Sequence, residues 1–90
     1  MTTATVTRRL QAEGLPVELV RGEGYHYFVF DDGVSYDSLS VMIPRFRSWP
    51  VDRWVQEGRQ FAKVAAFHAA ERAAYEAELA AERAAKTEGR

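Results

Sequence analysis

The chain contains no cysteine, which excludes disulfide staples and thiolate metal sites and fits a reducing compartment. Its only histidines are His26 and His68, too few for an imidazole-built metal centre, and neither metal nor cofactor is expected. An excess of one charge is lacking as well. Twelve basic residues stand against thirteen acidic ones, for a net charge of −1. Residues 1–50 hold five basic and six acidic groups, and residues 51–90 hold seven of each. Neither half has the surplus that draws a protein to nucleic acid or an anionic membrane. No stretch approaches the roughly 20 apolar residues of a membrane span. Arg8 and Arg9 are followed by no apolar run of signal-peptide length, so no secretory leader is expected. The expectation is a single small cytoplasmic domain with no membrane partner.

What is present orders itself as α-β-β-β-α. Thr2 or Thr3 suits a helix cap, with Val6 and Leu10 one turn apart on the buried side. Gly14-Leu15-Pro16 reads as a Schellman stop, with glycine at the left-handed position and proline barring continuation. Val17 to Arg21 alternates as a strand, and Gly22-Glu23-Gly24 offers a hairpin loop. Tyr25 to Phe30 is aromatic and β-branched on both faces, the pattern of a central strand covered, at least in part, on both sides. Asp31-Asp32-Gly33 is a second turn signal. A third strand falls between Val34 and Ile43, with Leu39, Val41 and Ile43 facing one way and Pro44 ending it. Pro50 and Asp52 then open a long helix whose stripe of Trp54, Val55, Phe61, Val64 and Ala65 suits one sheet face. The predicted fold is α+β, a three-stranded antiparallel sheet packed by a long C-terminal helix.

That helix is too long for its body. From Pro50 to about Lys86 only Gly58 interrupts the helical pattern, which at about 1.5 Å per residue makes roughly 55 Å of rod. The expected division is a compact α+β body over residues 1–67 and an overhanging alanine-rich continuation over 68–90, frayed at its end. Small side chains at Ala62, Ala66, Ala69, Ala73, Ala77, Ala80 and Ala84, extended backwards by Gly58, would let a second helix approach closely. Ala69, Ala73, Tyr75, Ala77 and Leu79 are the candidate oligomerisation residues. Against them stands alanine's helix propensity, which alone accounts for a solvated tail. Ion pairs such as Arg72–Glu76 and Glu82–Lys86 add about 0.2–0.5 kcal/mol each. A strict heptad is absent, which disfavours a long coiled coil.

No catalytic constellation stands out. His26 with Asp31, Asp32 or Asp37 has the residue types for acid–base work, but the alternation puts His26 on the Phe28 and Phe30 face, where a packed histidine is the commoner outcome. Asp31-Asp32-Gly33 has too few oxygen ligands for calcium, and Gly22-x-Gly24 lacks the third glycine and following helix of a phosphate fingerprint. The protein reads as a non-enzyme. Tyr36, Arg45, Arg47 and Trp49, with Phe46 among them, form the candidate partner-binding patch. Arg and Trp favour protein interfaces, and the same residues could hold phosphates while an aromatic stacks a base. If Phe46 and Trp49 instead fill the core, the arginines merely solvate the loop. The element order is shared with double-stranded RNA-binding domains, but the lysine cluster those place at the second helix is replaced by Pro50-Val51-Asp52-Arg53-Trp54.

The block Gly14-Leu15-Pro16-Val17-Glu18-Leu19-Val20-Arg21-Gly22-Glu23-Gly24-Tyr25-His26-Tyr27-Phe28, followed by Ser38, Ser40, Val41 and Arg45 and then Trp54-Val55-Gln56-Glu57, resembles small uncharacterised phage, prophage and plasmid proteins. The likeness covers about residues 10–57, and this chain departs from it at Pro44 and in its longer helix. It implies an accessory protein of a mobile element that occupies a host protein surface, for instance by inhibiting a nuclease of antiviral defence as an anti-CRISPR does. It transfers no catalytic residue. Expected partners are a host or phage protein, or a second copy of the chain through its C-terminal helix. The alternatives are a nucleic-acid-binding module and a homo-oligomeric structural module.

Overall fold

A computed structural model describes Met1–Glu88, with side chains placed through residue 85. The fraying expected at the chain's end and the expected Glu82–Lys86 pair lie outside the described residues.

Helix α1 (Thr3–Ala12) starts behind Thr2, whose carbonyl accepts from the Thr5 N–H while its own N–H donates to Thr5 Oγ1. It stops as the Gly-Leu-Pro signal predicts. Gly14 adopts φ +80, its N–H donates to the Gln11 carbonyl at 3.0 Å, and the Leu15 N–H reaches the Leu10 carbonyl at 3.1 Å. These two bonds define a Schellman motif. Strands β1 (Val17–Arg21), β2 (His26–Asp31) and β3 (Tyr36–Val41) follow in an antiparallel sheet of order β1-β2-β3. In the first hairpin the Gly22 N–H donates to the Tyr25 carbonyl at 2.8 Å. In the second, Asp32 Oδ1 accepts from the N–H groups of Val34 and Ser35 while Gly33 takes φ +89. A 3₁₀ turn (Phe46–Ser48) then leads to helix α2 (Val51–Glu88).

Both helices lie on one face of the sheet. The core is Val6 and Leu10 of α1, Val17, Leu19, Phe28 and Phe30 of the sheet, and Trp54, Val55, Phe61, Ala62 and Ala65 of α2. β2 is central, as expected, and its two faces are covered unequally. His26, Phe28 and Phe30 are buried, whereas Tyr25, Tyr27 and Val29 are half-exposed. Their aromatic and β-branched character fits the pleat of an inner strand without needing a second layer. Val64, expected in the core stripe, is 52% exposed. It lines a groove between α2 and β3 rather than the core, and the buried stripe is Trp54, Val55, Phe61, Ala62 and Ala65.

Gly58 was expected to extend a small-residue stripe for a second chain. It serves this chain's own packing instead: a Cβ there would lie 2.6 Å from Leu10 Cδ1 and 3.1 Å from Phe28 Cε1. Beyond Gly58, α2 meets neither proline nor glycine before Glu88. Nothing stops it. The molecule measures 63 × 26 × 17 Å with a Cα radius of gyration of 17.6 Å, against roughly 12 Å for a compact chain of this length.

Candidate protein-binding surface

The segment between β3 and α2 explains what the aromatics there do. Phe46 stacks on Trp54 with centroids 5.7 Å apart, and its carbonyl accepts from Trp54 Nε1–H at 2.8 Å. Trp49 lies 4.7 Å from the Trp54 ring and is half-buried against the core. The guanidinium of Arg53 sits 4.2 Å above Trp49. Both aromatics are thus mostly committed to the body, and Arg45 and Arg47 project from the turn into solvent. Tyr36, 60% exposed, is the first residue of β3. Six residues of strand at about 3.4 Å each separate it from the arginine turn. The four candidate residues therefore do not form one patch.

The start of α2 offers no phosphate clamp. Asp52 is paired to Arg9 of α1 at 2.6 Å, and Arg53 lies over Trp49. His26 is wholly buried, its Nδ1 2.8 Å from the Ile43 carbonyl and its ring 5.2 Å from Trp54. Asp31 lies at the opposite end of β2, and Asp37 pairs with Phe30 rather than His26, so the acid–base reading finds no geometry. Among the described residues, no group of three or more metal-ligating side chains exists, and no helix is long and apolar enough to cross a membrane.

Helical geometry separates the residues read as an oligomerisation set. At about 100° per residue, Ala69, Ala73 and Ala77 centre roughly 140° around α2 from Tyr75 and Leu79. Ala69 and Leu79 are half-exposed, and Ala73, Tyr75 and Ala77 are exposed. A different line emerges. Glu57, Gln60, Val64, His68, Glu71, Tyr75, Glu78 and Glu82 share a sector roughly 80° wide, to one side of the core-facing line. Val64 is 52% and Tyr75 61% exposed, and Phe67, 60% exposed, flanks the strip. The strip contains no lysine or arginine.

At its body end the strip runs into a groove of about 310 Å³ between α2 and β3, lined by Asp37, Leu39, Glu57, Phe61, Val64 and His68. β3 is an edge strand, so the groove borders unpaired backbone. His68 Nδ1 lies 3.6 Å from Asp37 Oδ2 and marks where the helix leaves the sheet. This His68–Asp37 pairing had no signal in the sequence, since it depends on the angle at which α2 crosses β3. Two further pairs, Arg9–Asp52 and the bidentate Arg59–Glu13, tie α1 to α2 on the other side. The Arg59 guanidinium holds the Glu13 carboxyl below its ordinary value, and Glu13 in turn raises Arg59.

No protein-family model, curated protein or solved structure matches the chain.

Proposed function

We propose that the protein is a non-enzymatic binding protein that occupies a partner protein's surface with the strip along α2 and the groove beside β3. The observation that carries this reading is the strip itself, with Val64, Phe67 and Tyr75 exposed on a helix that continues about 20 residues beyond its last packing contact. The carboxylates of Glu57, Glu71, Glu78 and Glu82 border those apolar groups, and between Glu57 and Glu82 no lysine or arginine falls in that sector. A fitting partner therefore has an apolar centre and a basic rim, the complementarity that steers association. Self-pairing through the strip is disfavoured, because it would set glutamates against glutamates. The resemblance of about residues 10–57 to small phage, prophage and plasmid proteins is what directs the reading to a host protein, including a defence nuclease.

Light scattering at several concentrations, with pull-downs from host lysate, tests this proposal. The expected outcome is a monomer at every concentration and a captured protein that is lost with Glu71→Lys combined with Tyr75→Lys, while circular dichroism stays unchanged. A dimer that these substitutions dissociate, or an unchanged set of captured proteins, sinks it.

A further inference from the structure

The two edges of the sheet are finished differently. In an antiparallel ladder, alternate residues turn their N–H and C=O groups toward the neighbouring strand, and the residues between turn theirs away. The Gly22 N–H bonds the Tyr25 carbonyl, which phases β1 so that Leu19 faces outward. Its N–H donates to Thr7 Oγ1 of α1 at 2.9 Å, so α1 closes that edge. The Asp32 N–H bonds the Ser35 carbonyl, which phases β3 so that Tyr36, Ser38 and Ser40 face outward. All three are exposed, and no strand lies beyond them. The Ser38 N–H is held by the Oδ1 of its own neighbour Asp37 at 2.8 Å. The outward groups of Tyr36 and Ser40 stay open to a further strand.

The groove of about 310 Å³ runs along this same edge. Trp54 touches His26, which pairs with Val41; Phe61 touches Phe28, which pairs with Leu39; and His68 lies beside Asp37. Helix α2 therefore runs antiparallel to β3, with Glu57 toward the Val41 end. A strand added about 4.8 Å beyond β3 sets every second side chain over the groove. The side chain level with Leu39 meets Leu39, Phe61 and Val64. Those two positions to either side face Asp37 at one end and Glu57 at the other. No lysine or arginine lines the groove among the described residues. A second copy's β3 would bring Asp37, Leu39 and Val41, setting a carboxylate against carboxylates, which opposes pairing.

We propose that the partner protein docks by strand addition. An extended segment of it, with an apolar residue flanked two positions away on each side by lysine or arginine, hydrogen-bonds to the free edge of β3 and sets those three side chains over the groove. This rests on the reading that the groove takes a partner protein, and it specifies the shape and charge of the part that enters.

The probe is a capped synthetic peptide, Thr-Lys-Thr-Leu-Thr-Lys-Thr, with two isomers that carry one N-methyl group, either on the leucine nitrogen or on that of the next threonine. Both isomers keep the same side chains and charge, but their methyl groups project from opposite edges of the strand. Titrated into the ¹⁵N-labelled full chain, the parent peptide should shift the amide resonances of Tyr36 and Ser40 and slow their exchange. One isomer should bind like the parent and the other about tenfold more weakly or worse, because its methyl group breaks the new ladder. Glutamate in place of both lysines should also weaken binding by about tenfold or more. Ser40→Pro removes an outward N–H where an edge strand tolerates proline, and should abolish the response with circular dichroism unchanged. No binding of the parent peptide, equal binding of the two isomers or of the glutamate peptide, or a dimer that Ser40→Pro dissociates overturns the proposal. A captured protein that is lost with Glu71→Lys and Tyr75→Lys but retained by Ser40→Pro overturns strand addition alone and leaves the protein-binding reading standing.

Discussion

Gly58 sits where α1 meets α2, and two effects of opposite sign decide what a methyl group there does. Alanine would favour the helix by about 1 kcal/mol. Its Cβ would also press to 2.6 Å from Leu10 Cδ1 and 3.1 Å from the Phe28 ring. Leu10 and Phe28 are wholly buried, so neither has room to withdraw, and overpacking of this kind costs about 1–3 kcal/mol. Gly58→Ala should therefore lower the thermal midpoint by roughly 4–8 °C per net kcal/mol lost, and a raised midpoint would show that Leu10 repacks freely. At Asp32 the backbone N–H groups of Ser35 and Val34 hold the carboxyl below its ordinary value. A folded value below the unfolded one contributes stability that is complete above the ordinary carboxylate range and fades as pH falls through the depressed value. Asp32→Asn should thus lower the urea midpoint near neutrality, with the gap from wild type closing under acid. A gap that is constant with pH would assign the effect to the turn's shape rather than its charge.

Within α2, the first eighteen residues and the remainder have different reasons to be helical. Residues 51–68 are held by burial of Trp54, Val55, Phe61 and Ala65 against the sheet. The later turns bury almost nothing and rest on alanine's propensity. Truncation after Ala70 keeps His68 beside Asp37 and should leave the thermal midpoint nearly unchanged while removing helical ellipticity and partner capture together. A midpoint fall of more than about 10 °C, worth over a kcal/mol in a domain this size, would mean that the removed turns pack on something, with a second copy the first suspect. The three strands, the Schellman stop and the start of α2 were all legible beforehand because each is written in local chemistry: alternation, Gly-Leu-Pro, and Pro50 with Asp52. How far the second face of β2 is covered was not legible, since aromatic residues on a half-exposed face look the same in sequence as residues between two layers.

For the molecule as a whole, shape is the sharpest observable. Small-angle scattering of a monomer should give a radius of gyration near the Cα value of 17.6 Å and a longest dimension near 63 Å. A value close to the roughly 12 Å of a compact chain would mean that the overhang folds back or melts. Of the candidate partner-binding residues, Arg45 and Arg47 were legible as exposed cations, but their company was not. They border a cavity with Arg21, from a strand distant in sequence, and not a patch with Tyr36.

Sequence by itself determined the elements and their order, because caps, turns and periodicity act over a few residues. It also determined that the last helix must outrun its body, since nothing in its composition ends it. Only the tertiary structure decided which side of that helix is free, that Gly58 serves α1 rather than a second chain, and that Phe46 and Trp49 lean on Trp54. Those outcomes depend on the angle at which α2 crosses the sheet, and that angle is set by the summed packing of Leu10, Phe28, Trp54 and Phe61, which no local pattern records.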